Sequence, residues 1–211
     1  MPARACLRVS DIPATRRIAE AGARRVVQIS ESGRRAPGEY DERMTRYRVR
    51  PARTSDVAQI ISLVEPLVSR RILLGKERVD LYGAIQEFRV AEVVDDGTII
   101  GAGALHAMWE DLGEVRTLVV ADDWLGHGVG HAIVERLEAD ARELGLSRLF
   151  CLTFEVDFFA RHGFEDMGEE TVAPEVYAEL VRSHDDGVAE FLDLARVKQN
   201  TLGNTRMLKR L

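Results

Sequence analysis

From Leu118 to Ala132 the chain reads as an apolar strand (Leu118, Val119, Val120), a polar turn, a glycine-rich loop (Leu125, Gly126, His127, Gly128, Val129, Gly130) and the helix that this loop leads into, with His131 and Ala132. Glycines let the backbone approach a bulky anion closely. At a helix start the unpaired N–H groups and the positive end of the dipole face outward, so a pyrophosphate is held there without a cluster of basic side chains. The diphosphate of coenzyme A suits such a site. A Gly-x-Gly-x-Gly run also occurs in dinucleotide folds, which want it after the first strand of a βαβ unit. Here it follows the fourth predicted strand, which argues against NAD.

The elements that must carry this loop can be read from periodicity. Tyr47–Arg50 alternates like a strand, and Thr54, Ser55 and Asp56 offer helix caps ahead of Val57, Ile60, Ile61, Val64 and Leu67. A second helix is predicted over Arg78–Phe88. Strands follow at Arg89–Val94 and Ile99–Leu105, joined through Asp95, Asp96, Gly97 and Thr98, whose Asp-Gly step is a hairpin signal. Next come a strand at Glu114–Val120 and a helix over 128–144 with Val129, Ile133, Leu137, Ala141 and Leu144 on one stripe, stopped by Gly145. A strand at Arg148–Thr153, a short helix at Val156–His162 and a last strand near Asn204–Lys209 complete the order. Strands interleaved with helices predict an α/β or α+β sandwich.

Composition bounds the rest. With 45% hydrophobic and 30% charged residues, the 211-residue chain can bury one sizeable core. No apolar stretch approaches the length needed to cross a bilayer, and Met1–Ser10 lacks a secretory apolar run, so a cytoplasmic protein without a membrane partner is expected. Cys6 and Cys151 lie far apart without metal-ligand spacing, which predicts neither a disulfide framework nor a metal site, and Cys151 reads as a core thiol. Residues 1–46 carry ten Arg against six acidic residues. They read as a flexible or loosely packed basic extension ahead of a domain at 47–211, apart from a short helix expected around Ala14–Val27. Against a net charge of -6 for the whole chain, residues 47–211 therefore carry -10, and so acidic a body disfavours nucleic acid.

Strand, glycine loop and helix together resemble motif A of the GNAT superfamily of acetyltransferases, and Phe158, Phe159, Ala160, Arg161, His162, Gly163 and Phe164 resemble its later motif B. The likeness covers about Tyr47 to Leu211 and implies the GNAT fold, a mixed, mostly antiparallel central sheet flanked by helices, with acetyl-CoA as cosubstrate and no metal. Two positions depart from the pattern. Leu125 stands where motif A has Gln or Arg, and Phe159 stands where many members place a tyrosine that protonates the departing thiolate. Closer likeness is carried by Pro66-Leu67 with Ile72-Leu73-Leu74, by Gly113-Glu114-Val115, by Ser147 to Thr153 and by the ending Asn200 to Leu208. These resemble the acetyltransferase domain of bacterial N-acetylglutamate synthases, especially the short actinobacterial kind.

The resemblance implies roles residue by residue. The loop residues Leu125 to His131 would hold pyrophosphate. Backbone groups of Leu118 and Val120 would pair with the pantetheine arm, and an N–H near Val119 or Val120 would polarise the thioester carbonyl. Glu114 falls where related enzymes keep a catalytic glutamate, and strand alternation puts it on one face with Arg116 and Leu118. A dicarboxylate acceptor needs fixed positive or hydrogen-bonding groups, for which Lys76, His106, Arg116, Thr205 and Arg206 are the candidates. The implied reaction is acetyl transfer to the α-amine of L-glutamate at the entry to arginine biosynthesis, with Glu114 as base, by a chain that can form a homodimer. Two other expectations stay open. One is acetylation of another small amine or a protein N-terminus, and the other is a catalytically idle acetyl-CoA-binding module.

Overall fold

The computed structural model describes residues 46–69, 77–194 and 203–211. Its strands are β1 (Tyr47–Pro51), β2 (Phe88–Val93), β3 (Ile99–Trp109), β4 (Leu112–Val120), β5 (Arg148–Thr153), β6 (Glu165–Asp166) and β7 (Thr205–Arg210). Its helices are α1 (Val57–Ser69), α2 (Arg78–Gly83), α3 (Val129–Glu143), α4 (Val156–Ala160), α5 (Pro174–Leu180) and α6 (Asp186–Phe191). The strands form a single sheet in the order β1-β2-β3-β4-β5-β7-β6. Every neighbouring pair is antiparallel except β4 and β5, which run parallel. No helix among the described residues is long and apolar enough to cross a membrane.

Two faces of the sheet are covered differently. Val129, Ile133, Val134, Leu137 and Ala141 of α3 pack with Phe158, Phe159 and Phe164 over one face. Val57, Ile60, Val64 and Leu67 of α1 cover the β2–β4 half of the other. Val188 and Phe191 of α6 and Leu180 of α5 cover its β5–β7 half, against Phe150, Leu152 and Leu208. Between these last two apolar clusters the sheet carries charged side chains, described below.

Several boundaries differ from the sequence reading. The helix expected over Arg78–Phe88 ends at Gly83, because glycine and the non-helical Ala84 stop it, and a 3₁₀ turn at Ile85–Glu87 lets Phe88 begin β2. β3 runs on past Leu105 to Trp109, because the turn to β4 lies at Glu110 and Asp111. The elements α5, α6 and β6 were not anticipated. The short helix expected around Ala14–Val27 and the whole 1–45 segment lie outside the described residues.

One departure matters for the site. Ala102 faces Val119 and Ala104 faces Arg116, so β4 uses one extra residue there, and Thr117 sits at the bulge with φ 55. The bulge breaks alternation. Leu118 packs with α3, whereas Glu114 and Arg116 point to the α6 side, so the three do not share the face that strict alternation predicts.

Candidate active site

β4 and β5 pair only at Leu112, Gly113 and Glu114 against Arg148, Leu149 and Phe150. Beyond these residues the strands part, and the wedge between them opens a cavity of about 230 Å³. Leu118, Val119, Val120, Leu125, Gly126, Gly128, Val129, Gly130 and His131 line it, joined by Trp124, Glu155 and Phe158. Of the predicted loop residues, His127 is not in the lining. Its ring packs edge-on against Trp124, which in turn meets Tyr47 of β1.

The loop's shape follows from two glycines. Gly126 and Gly128 both adopt φ 79, which a side chain with a Cβ rarely tolerates. Around Gly126 a Cβ would meet nothing within 4 Å, so open space borders the backbone there. Gly128 is the N-cap of α3 without a side-chain cap, and the first turn holds no acidic residue. The outward amides thus face the cavity without an acidic side chain in their own helical turn, which fits a pyrophosphate.

A second assembly lies on the opposite side of β4. Arg116, whose side chain is only 4% exposed, places Nη2 2.9 Å from Glu87 Oε2 and Nη1 2.9 Å from Asp185 Oδ2. Glu114 Oε2 is 3.7 Å from the same Nη1, and its side chain is 1% exposed beneath the backbone of Gly187. His106 Nδ1 meets Glu87 Oε1 at 2.8 Å, with Nε2 3.8 Å from Asp185. Burial opposes ionisation of Asp185, but the Arg116 guanidinium wins and holds its carboxyl down at about 2. Glu87 follows the same balance: burial raises its carboxyl, and His106 and Arg116 bring it below the usual range. Burial disfavours the Arg116 charge too, but Glu114, Glu87 and Asp185 together raise its pKa.

The remaining candidates are scattered. Lys76 lies outside the described residues. Thr205 pairs with Thr153 at the splayed end of β5. Arg206, next along β7, directs its guanidinium to the carbonyls of Phe191 and Gly168, at 3.4 and 3.5 Å. Phe159 is buried with Phe164, and it is Phe158 that lines the cavity. Cys151 is buried in the α3-side core.

Glu87 and Asp185 escaped the sequence reading. Glu87 falls where a helix was expected. Asp185 was passed over within the tail, although an Asp ahead of Val188, Phe191 and Leu192 is an N-cap signal, and its carboxylate does accept the amides of Gly187 and Val188.

Comparison with known proteins agrees with this architecture. The acetyltransferase (GNAT) family pattern matches residues 70–168. An amino-acid acetyltransferase of Mycobacterium tuberculosis is 56% identical over 161 residues, covering 76% of this chain and 92% of the relative. The chain belongs to the GNAT acetyltransferase family. Within it, the chain stands with the short actinobacterial type. A crystal structure of a Mycobacterium tuberculosis protein in complex with CoA, 56% identical, superposes with a TM-score of 0.74 over 77% of this GNAT chain and 98% of that one. An N-acetylglutamate synthase from Neisseria gonorrhoeae, solved with coenzyme A and N-acetyl-glutamate, gives 0.60 at 26% identity over 78% of this chain and 35% of that one. The amino-acid acetyltransferase of Azotobacter vinelandii is 37% identical over 125 residues, 58% of this chain, and the match spans only 28% of that longer relative.

Proposed function

We propose that this GNAT enzyme transfers acetyl from acetyl-CoA to the α-amine of L-glutamate, as the first step of arginine biosynthesis. The observation that carries the reading is the juxtaposition of two sites across β4. An open glycine cradle lies on one side, and Glu114 with Arg116 and His106 lies on the other. The relatives support the acceptor class, since they are amino-acid acetyltransferases and an N-acetylglutamate synthase.

In this reading the first-turn amides of α3 and the loop from Leu125 to His131 hold the pyrophosphate. Backbone groups of Leu118 and Val120, on the edge of β4 that β5 has left, pair with the pantetheine arm as an added strand. Acetyl-CoA supplies the activated thioester. An N–H near Val119 or Val120 donates to the carbonyl as negative charge builds on it. Glu114 accepts the proton of the attacking amine. Arg116 and His106 receive acceptor carboxylate, with Lys76, Thr205 and Arg206 as further contacts. Phe159 carries no proton, so the acid for the thiolate is another group or water.

A second reading rests on the same cluster. Three carboxylates, Glu87, Glu114 and Asp185, surround one arginine and one histidine, and Arg116 already forms ion pairs with all three. Such an excess of negative charge favours a less anionic acceptor, such as another small amine or a protein N-terminus. Thiol release from acetyl-CoA, measured with L-glutamate beside glutamine, other amino acids and short peptides, separates the two. Release with L-glutamate that exceeds the others in kcat/KM supports the first. Binding of acetyl-CoA with no release on any amine would mean an idle module.

A further inference from the structure

One pair of side chains at the cavity has no part in the reaction described above. His131, on the first turn of α3, lines the cavity, and its Nδ1 lies 2.7 Å from Nε2 of His162. His162 sits just after α4 with its side chain 8% exposed, and its Nδ1 is 3.8 Å from Glu138 Oε1. Glu138 is in turn held by Lys209 at 2.6 Å and approached by Arg142 at 3.7 Å. The rings of His131 and Phe158 lie 4.8 Å apart, centroid to centroid.

The chain of contacts sets which nitrogen carries which proton. A carboxylate next to His162 Nδ1 favours the proton there, which leaves Nε2 as acceptor and makes His131 Nδ1 the donor across the 2.7 Å contact. The free position is then Nε2 of His131. His162 does not compete for a second proton, because burial and, after it, the neighbouring His131 lower its pKa, with Lys209 adding to this and Glu138 and Glu135 opposing it. The charged and titratable groups facing the pair are Glu135 and Glu138 of α3, Lys209 of β7 and Glu155 at the cavity wall. A protonated His131 would keep its donation to His162, add a positive charge at the anion end of α3, and rest on the face of Phe158.

We propose that His131, oriented by His162 and Glu138, is a protonatable phosphate-binding group of the cofactor cavity, so that binding of coenzyme A takes up a proton. This rests on the reading of the glycine loop as the pyrophosphate site. His131 touches the ligand, and His162 and Glu138 are positioning residues. The proton comes from solvent and resides on Nε2 of His131 while the anion is bound. Affinity therefore falls as pH rises through the histidine range.

Calorimetric titration with dephospho-coenzyme A, which keeps the pyrophosphate but lacks a phosphate monoester that titrates on its own, tests this. Titrations in two buffers of different ionisation enthalpy count the protons taken up. Wild type is expected to take up a large part of one proton near neutral pH and to lose about tenfold in affinity between about pH 6 and pH 8.5, the scale of one charge-assisted hydrogen bond across the imidazole range. His131→Gln should abolish both effects and bind near the high-pH wild-type affinity. His162→Phe, which removes the acceptor, should cut the uptake, and His162→Gln, whose amide oxygen still accepts from Nδ1, should restore it. Unchanged uptake in His131→Gln, or tight wild-type binding with no uptake at any pH in that range, overturns the proposal. Should His162→Phe fail to fold, His131→Gln at the less buried position decides alone. No binding by wild type would overturn the loop assignment itself, and this proposal with it.

Discussion

The two sides of β4 solve the problem of holding charge in opposite ways. On the α3 side an anion site is built from backbone: amides of a helix start, two glycines at φ 79, and no acidic residue in the first turn. On the α6 side the charge is carried by side chains from the 3₁₀ turn before β2, from β3, from β4 and from the cap of α6, packed against one another around the buried Arg116. A backbone site is cheap to desolvate, because its dipoles are fixed by the helix. A side-chain cluster holds full charges out of water and stays stable only while every partner is present. The first region should therefore fail by losing its shape, and the second by losing its balance.

Breaking shape should have the largest effect. Gly128→Glu puts a side chain at a positive φ and a negative charge on the anion path, so acetyl-CoA binding should vanish from calorimetry while the fold survives. The same is expected of Gly130→Glu, whose Cβ would sit 3.4 Å from the Phe158 ring. Retention of near-normal affinity by both variants would sink the loop assignment.

On the other side, Glu114→Gln should keep acetyl-CoA binding but lower turnover by about a hundredfold, the usual scale for losing a general base. The deficit should shrink at high pH, where more of the acceptor arrives as free amine. Unchanged turnover at neutral pH in a folded Gln variant removes Glu114 from the mechanism.

The contrast also explains what could be read in advance. The backbone site is local, since Leu118 to Ala132 contains strand, loop and helix start in one run, and all but His127 of its predicted members line the cavity. The charged cluster is not local. Glu87, His106, Arg116 and Asp185 meet only after the sheet forms, and no period in the sequence joins position 87 to 185. Glu114 was singled out because its place on the fourth strand resembles related enzymes, and Arg116 does share its face, but Leu118 does not. Strict alternation could not foresee the bulge at Thr117, a residue with no glycine or proline to announce it. The tail after Phe164 was opaque because α5 and α6 are seven and six residues long, too short to display a helical period.

A third change asks whether the α6 backbone really closes over the cluster. A Cβ on Gly187 would overlap the Glu114 carboxylate, which is walled in by the sheet and cannot swing away freely. Gly187→Ala should therefore lower stability by about 1–3 kcal/mol, as other overpacked sites do. It should also reduce turnover with little change in acetyl-CoA affinity. Denaturant titration and calorimetry on the same sample read both. A variant as stable and as active as wild type would show that Glu114 is not covered by α6 in solution.

The smallest effect isolates charge from capping. Asp185→Asn keeps an oxygen that can accept the amides of Gly187 and Val188, but loses the ion pair with Arg116 at 2.9 Å. The carboxyl of Asp185 is held at about 2, below its unfolded value, so its contribution is present above about pH 4 and disappears as pH falls through about 2. A shift of this size corresponds to about 2 kcal/mol at most, and the partial exposure of Asp185 and its sharing of Arg116 with Glu87 and Glu114 reduce it further. Urea titrations should thus place the Asn variant about 1–2 kcal/mol below wild type at neutral pH, with the gap closing as the pH approaches 2. A gap of the same size at both ends would assign the loss to the cap or to packing. A variant equal to wild type at neutral pH would mean that Glu87 and Glu114 balance Arg116 without Asp185, leaving the helix cap as its whole contribution.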